Sequence, residues 1–339
     1  MQALKDLSSD LEPLALFLAS QLERVSVRFD EHLRCELPPV SELCAHVERY
    51  RGKMLRPTLV LLCGVASSAE PDGLRVSEEH ITLAAVSEMV HMATLVHDDV
   101  LDEAETRRRG QTVNRLRGNE AAVILGDYLI AGAFHLCSQV SQREASLVVG
   151  QASMDMCAGE LLQLHNRENF SIDERTYYEI VRRKTGALIG AACRLGAIAS
   201  GARAEVCDLF EQFGMSLGTA FQIQDDLLDL TGRAAVVGKD TGKDPEKGKL
   251  TLPMIHHLLA ATVDQRARTL GVLEDVARHG PGAAVELATV LESTGSIAHA
   301  KGEAERLVAE ACAMLSAIEP SKARDLLEHL ARAAVNRAY

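Results

Sequence analysis

The chain has no tryptophan, and aromatic residues fill only 4% of its 339 positions although hydrophobic residues fill 47%. Sheets draw on aromatic and β-branched side chains, whereas alanine and leucine favour helix. A core poor in rings and rich in Ala and Leu therefore predicts an all-α fold. The eight cysteines (Cys35, Cys44, Cys63, Cys137, Cys157, Cys193, Cys207, Cys312) include no CxxC pair and no metal-ligand spacing, which excludes a zinc module and predicts buried free thiols. No basic segment followed by an apolar one opens the chain, and no run approaches the ~18 apolar residues of a membrane span. The expectation is a cytoplasmic protein with no integral membrane segment. Positive charge is also scarce: 36 Lys and Arg against 48 Asp and Glu leave a net charge of −12, which argues against a nucleic-acid or anionic-membrane binder. With no long linker and no low-complexity tract, residues 1–339 read as one all-helical domain.

Apolar spacing marks helices over roughly 10–34, 40–50, 57–68, 77–103, 119–139, 142–168, 173–200 and 203–232, with shorter ones after 250. Breaks fall at Pro38-Pro39, Pro71-Asp72-Gly73, Arg109-Gly110-Gln111 and across 232–248. Pro57 fits the first position of a helix and Asn119 an N-cap. Lys243, Asp244, Glu246 and Lys247 read as solvated charges.

Against this background two segments stand out, Asp98-Asp99-Val100-Leu101-Asp102 and Asp225-Asp226-Leu227-Leu228-Asp229, which put six aspartates into ten positions. Residues four apart share a helix face, so Asp98 pairs with Asp102 and Asp225 with Asp229. Two such charges about 6 Å apart cost on the order of 3 kcal/mol at an effective dielectric near 20, and a cation should offset them. Oxygen-only donors favour a hard divalent ion, Mg2+ before Ca2+, completed by water and phosphate. The apolar neighbours Leu95, Val96, Ile223 and Leu227 place these carboxylates on the wall of a cavity rather than on a solvated face.

Around them lie further strings in a fixed order: Gly52-Lys53-Met54-Leu55-Arg56-Pro57, His91-Met92-Ala93-Thr94-Leu95-Val96-His97, Arg107-Arg108, Leu125-Gly126-Asp127-Tyr128, Lys184-Thr185-Gly186, Phe221-Gln222-Ile223-Gln224 and Gly248-Lys249-Leu250-Thr251-Leu252-Pro253. Together, over roughly residues 45–260, they resemble the trans-isoprenyl diphosphate synthases, or polyprenyl synthetases. The resemblance implies an isoprenoid-synthase-type helical bundle around a central cavity, a homodimer, and Mg2+-dependent condensation of isopentenyl diphosphate with an allylic diphosphate.

By the same resemblance, Asp98, Asp102 and Asp225 hold Mg2+ on the leaving diphosphate, with Asp99, Asp226 and Asp229 supporting them; Asp226 and Asp229 are alternative ligands. Lys184, Lys239 and Arg107 hold the allylic diphosphate, while Thr185 and Gln222 turn lone pairs to the developing cation. Lys53, Arg56, His91 and Arg108 take isopentenyl diphosphate, where a guanidinium gives bidentate contact and lysine a point charge. Lys249 joins the substrate-binding set, and His97 supports Asp98. His256 and His257 are read as structural. The family commonly has two arginines directly before a glycine, whereas here Arg107, Arg108 and Arg109 precede Gly110. Counting from Asp98 selects Arg107 and Arg108, aligning on the glycine selects Arg108 and Arg109, and Thr112 with Asn114 favours the first register.

In this family the helix before the first motif sets product length. Ala93 and Thr94 are small, no aromatic residue lies between Ser77 and His97, and Ala93, Met89, Val86 and Thr82 follow at helical intervals. Eleven residues give about 16 Å of depth. The expected product is a long all-trans chain, C30–C50, for quinone side chains. Alternatives are a geranylgeranyl or other short- to medium-chain synthase, a non-catalytic subunit of a heteromeric synthase, and a terpene cyclase. Peripheral membrane contact through the product is compatible with the sequence.

Overall fold

The computed structural model describes residues 9–70, 73–108, 110–231, 243–279 and 284–336. The helices are α1 (Glu12–Leu33), α2 (Pro38–Val47), α3 (Leu55–Ser67), α4 (Glu78–Leu101), α5 (Val113–Arg117), α6 (Asn119–Cys137), α7 (Arg143–His165), α8 (Glu174–Val181), α9 (Ala187–Ala199), α10 (Ala204–Thr231), the single turn α11 (Lys243–Glu246), α12 (Leu252–Ala260), α13 (Val263–His279), α14 (Ala284–Ser293), α15 (Ser296–Leu315) and α16 (Lys322–Val335). The expected all-α class holds. Among the described residues the strands are limited to one hairpin, in which Thr106–Arg107 pairs antiparallel with Gly110–Gln111.

Local details depart from the sequence reading. The run expected over 173–200 is divided by a π-helical turn, Arg182–Gly186. Pro57 is the third residue of α3, still within the first turn, where a missing N–H costs no helix bond. Gly118, at φ 84°, caps α6 in place of Asn119. All eight cysteines are free, but Cys157 is exposed and Cys35 and Cys312 are half-buried, which corrects the expectation of uniform burial. Contrary to the expectation for apolar runs, α6 is long and apolar enough to cross a membrane by length and composition. Its Ala122, Leu125, Leu129, Ala133 and Leu136 are buried, and the helix packs chiefly on α4.

The chain divides into two compact units, each described by itself. One comprises Met1–Ser153, Leu188–Gly214 and Met314–His329; the other comprises Met154–Ala187, Met215–Ala313 and Leu330–Tyr339. In the first, α4 is the core helix, packed by α1, α3 and α6. Every residue from His80 to Val90 is buried, as expected of a helix enclosed on all sides. His80 fastens its start: Nδ1 accepts the Ser77 N–H at 3.1 Å, and Nε2 lies 2.9 Å from Ser200 Oγ, which itself donates to the Gly64 carbonyl at 2.7 Å. In the second unit, Leu230, Met254, Leu273, Leu287 and Leu291 form the core. His257 bridges Thr294 Oγ1 (2.8 Å) and Thr269 Oγ1 (2.7 Å), and His256 stacks on His299 at 4.1 Å, structural contacts in both cases.

Burial pushes the His80 imidazole down to about 4. An unfolded histidine titrates near 6.5, so between these values the unfolded chain binds the extra proton and the native chain does not. The stabilisation is complete above about pH 6.5 and is lost as pH falls towards 4. Urea unfolding at pH 5 against pH 7 should show about 2 kcal/mol lost through this residue, and His80→Gln should flatten the dependence.

Candidate active site

The first aspartate motif ends α4. Asp102 is the C-cap, and its N–H donates to the Asp98 carbonyl at 2.8 Å, so the two carboxylates sit one turn apart and half-buried. Asp99 points elsewhere. It is 1% exposed, and its carboxylate accepts Arg107 Nε at 2.9 and 3.1 Å and Nη2 at 2.8 Å. Tyr50 lies beneath, its ring centroid 5.8 Å from the Arg107 guanidinium carbon and its hydroxyl oxygen accepting the Val113 N–H at 3.1 Å. Burial, and then the Asp99 charge, push this phenol up to about 12. Asn114 Nδ2 donates to the Asp99 and Ala104 carbonyls at 3.2 and 3.1 Å, and Thr112 Oγ1 donates to Ala104 at 2.6 Å. These bonds lock the loop and hairpin that carry Arg107 and Arg108. His97 turns Nε2 to the Val123 carbonyl at 3.2 Å and to Asp127 at 3.4 Å.

Arg56, Arg107 and Arg108 all act electrostatically on His91. Burial first, then these three charges, drive its imidazole far below the ordinary histidine range, so the ring is neutral. Buried Glu88 opposes Arg56 and Arg108, and its own carboxyl is pushed up by burial. Among the described residues, Arg51, Arg56, Arg107 and Arg108 thus meet Asp30, Glu88 and Asp99, four guanidiniums to three carboxylates. Arg56 Nε is buried with no hydrogen-bond partner, an unmet donor that suits an anion. Arg108 adopts φ 48°, and its guanidinium lies over Gly52. Lys53 is exposed.

In the second unit, Lys184, Thr185, Gln222, Asp226 and Lys249 line one cavity of about 110 Å³, together with Tyr177, Asp244 and Thr251. Lys184 and Thr185 belong to the π turn. Gly159 of α7 packs there so closely that a Cβ would come within 2.8 Å of the Lys184 nitrogen. A π turn displaces the helix register, a feature common at functional sites. Lys184 Nζ is ion-paired with Glu160. From Thr185 a chain of hydrogen bonds runs inward: its hydroxyl donates to Gln222 Oε1 (2.9 Å), Gln222 Nε2 donates to Asp226 Oδ1 (2.8 Å), and the Tyr177 hydroxyl donates to Asp226 Oδ2 (2.6 Å). Burial, then the charges of Asp244 and Asp225, push the Asp226 carboxyl well up, against the pull of these two donors. Asp225 and Asp229 are half-buried, and Asp229 Oδ2 accepts the Asp244 N–H at 3.1 Å.

Several residues escaped the sequence reading. Tyr177 carried no signal beyond an apolar helical context. Asp244, read as a solvated charge, is half-buried and lines the cavity. Thr251 Oγ1 is buried there without a partner. Lys239 and Arg109 lie outside the described residues. Among the described residues no three histidine, cysteine or carboxylate side chains converge as a ready-made metal cage. Mg2+ uses one or two carboxylates and completes its shell with water and substrate phosphate. Asp98 with Asp102, and Asp225 with Asp229, supply hard oxygen pairs of this kind.

Carboxylate pairs one turn apart, guanidiniums gathered round a neutral histidine, and a lysine, threonine and glutamine about a cavity define an enzyme that handles diphosphates, and its relatives agree. The family described as Polyprenyl synthetase matches residues 38–287, and the chain belongs to it. It is a prenyltransferase of isoprenoid biosynthesis. It is 32% identical over 332 residues to heptaprenyl diphosphate synthase component 2 of Geobacillus stearothermophilus, covering 97% of this chain and 99% of that one. The decaprenyl diphosphate synthase of Rhodobacter capsulatus superposes with TM-score 0.86 at 33% identity, covering 96% and 98% of the two chains. A Caulobacter crescentus polyprenyl synthase, solved with calcium and isoprenyl diphosphate, superposes with TM-score 0.86 at 26% identity over 96% and 98%. Other matches carry the names of short-chain and geranylgeranyl synthases, so likeness defines the reaction class and not the product length.

The Asp99 carboxylate is the anchor of the first aspartate motif. Asp99→Asn leaves Arg107 without its charge partner and should cost about 3 kcal/mol in urea unfolding, the lower end for breaking a buried pair because Arg107 is part-exposed.

Proposed function

We propose that the chain joins isopentenyl diphosphate head-to-tail to an allylic diphosphate and repeats the step to give an all-trans polyprenyl diphosphate of C30–C50, with Mg2+ as the metal. Bound Mg2+ neutralises the departing diphosphate as a Lewis acid. Asp98 and Asp102, and Asp225 with Asp229, are its holders. Arg107, Lys184 and Lys239 take the allylic diphosphate, and Lys249 belongs to the same substrate-binding set. Lys53, Arg56, His91 and Arg108 take isopentenyl diphosphate. Carboxylates already hold two of these cations, Arg107 on Asp99 and Lys184 on Glu160, which orients them before an anion arrives. The ionised allyl group meets the oxygens of Thr185 and Gln222 instead of water.

The observation that carries the long-chain reading is the buried stripe of α4. Ala93, Met89 and Val86 are each 0% exposed with no aromatic among them, and Thr94 is half-buried, its hydroxyl donated to the His91 carbonyl at 2.8 Å. Opposite Met89, α6 offers Gly132. Of the rings on α6, Phe134 lies near Gly150 of α7 and Tyr128 is 36% exposed. At the far end Thr82 accepts Arg28 Nη1 at 2.5 Å, a polar stop about 16 Å from Ala93.

A homodimer is supported by Leu147, Met154 and Leu161, exposed by 65%, 69% and 68% at seven-residue spacing along α7, apolar area that a second copy would cover. Eight free thiols suit a reducing, cytoplasmic setting. The residues 1–339 act on this reading as one prenyltransferase domain. The relative named as component 2 favours a second reading, in which the chain needs a partner.

Purified chain given farnesyl diphosphate, isopentenyl diphosphate and Mg2+ should yield C30–C50 products, stop on addition of a chelator, and lose about a hundredfold or more of its turnover on Asp98→Ala or Asp225→Ala. Products of C20 or shorter would sink the long-chain reading, and turnover only after adding a second polypeptide would establish the heteromeric one.

A further inference from the structure

Both ends of the Thr185–Gln222–Asp226–Tyr177 chain are hydroxyl groups. At the inner end the buried Tyr177 hydroxyl donates to Asp226, and at the outer end the Thr185 hydroxyl donates to Gln222. Asp226 accepts the Tyr177 hydroxyl on Oδ2 at 2.6 Å and the Gln222 Nε2–H on Oδ1 at 2.8 Å, so both of its oxygens are met by protein donors. The Gln222 amide is thereby turned with nitrogen to Asp226 and oxygen to Thr185. Because that oxygen cannot donate, the single Thr185 proton is committed to it. What remains on Thr185 Oγ1 and Gln222 Oε1 for the cavity is lone pairs. With the amide reversed, an N–H would take the place of a carbonyl oxygen, and a dipole that helps a cation would oppose it.

We propose that Tyr177 is a positioning residue for the prenyl transfer: acting through Asp226, it holds the Gln222 amide in one orientation and thereby keeps Thr185 and Gln222 presented as acceptors. Asp226 is then the anchor of this relay and not a holder of metal, both of its oxygens being engaged by protein donors. The inference rests on the ionisation chemistry proposed above and names a residue whose effect is carried through Asp226.

The test is steady-state kinetics of the full chain with Mg2+, farnesyl diphosphate and isopentenyl diphosphate, run as a cycle of Tyr177→Phe, Thr185→Val and the double variant. Tyr177→Phe keeps the ring and removes only the hydroxyl. It should lower kcat about tenfold, with both KM values and the half-saturating Mg2+ concentration within about twofold of the parent. In the Thr185→Val background the same change should cost about twofold or less, because the relay has already lost its far end. Unchanged kcat, or equal losses in both backgrounds, overturns the proposal, since a packing role is additive. Should Tyr177→Phe fail to fold, Asp226→Asn replaces it: lower kcat at unchanged Mg2+ requirement supports the relay, and a raised Mg2+ requirement makes Asp226 a metal ligand and overturns it. A parent enzyme that forms no carbon–carbon bond removes the underlying reading and takes the relay with it, whereas an active parent with an indifferent Tyr177 removes the relay alone.

Discussion

A carboxyl group inside a helical core is costly unless donors meet it, and both aspartate motifs are organised around that constraint. In each aspartate motif the second residue lies about 100° round the helix from the first, so it turns inward when the first and fifth face outward. Asp99 and Asp226 are accordingly 1% and 6% exposed, while Asp98, Asp102, Asp225 and Asp229 are half-buried. One motif therefore provides an anchor and a presented pair. The anchor's demand for donors shapes its surroundings: Asp99 draws in Arg107, with Tyr50 below it, and Asp226 draws in Tyr177 and Gln222.

The cations obey the same rule from the other side. Arg51, Arg56, Arg107 and Arg108 are gathered in a chain whose net charge is −12, and among the described residues Asp30, Glu88 and Asp99 balance them only in part. His91 responds by staying neutral, and Arg56 keeps a buried N–H without a partner. Such a group is costly in the empty protein and suited to a phosphate oxygen. Lys184, by contrast, rests on Glu160.

One helix carries much of this. The C-terminal end of α4 bears the first motif, and on the proposed reading its middle walls the path of the growing chain. α6, apolar enough in composition to cross a membrane, has Gly126 and Gly132 where α4 places His97 and Met89. Much of its apolar character is spent on that packing rather than on lipid.

What the sequence determined by itself is periodic: the helices, the pairing of Asp98 with Asp102 and of Asp225 with Asp229, and the family, because helical spacing and ordered strings are properties of the chain alone. Features without a period were not legible. Two-residue strands have none, and the π turn at Lys184 meets Gly159, more than twenty residues earlier in the chain. Asp244 looked like any loop charge until the fold laid it against Asp229. The partners of the two anchors show the division best. That Asp99 and Asp226 point inward follows from the helix. That one meets a guanidinium and the other a phenol and an amide was decided by tertiary structure, since hydrogen bonds of this kind depend on which elements the fold brings together.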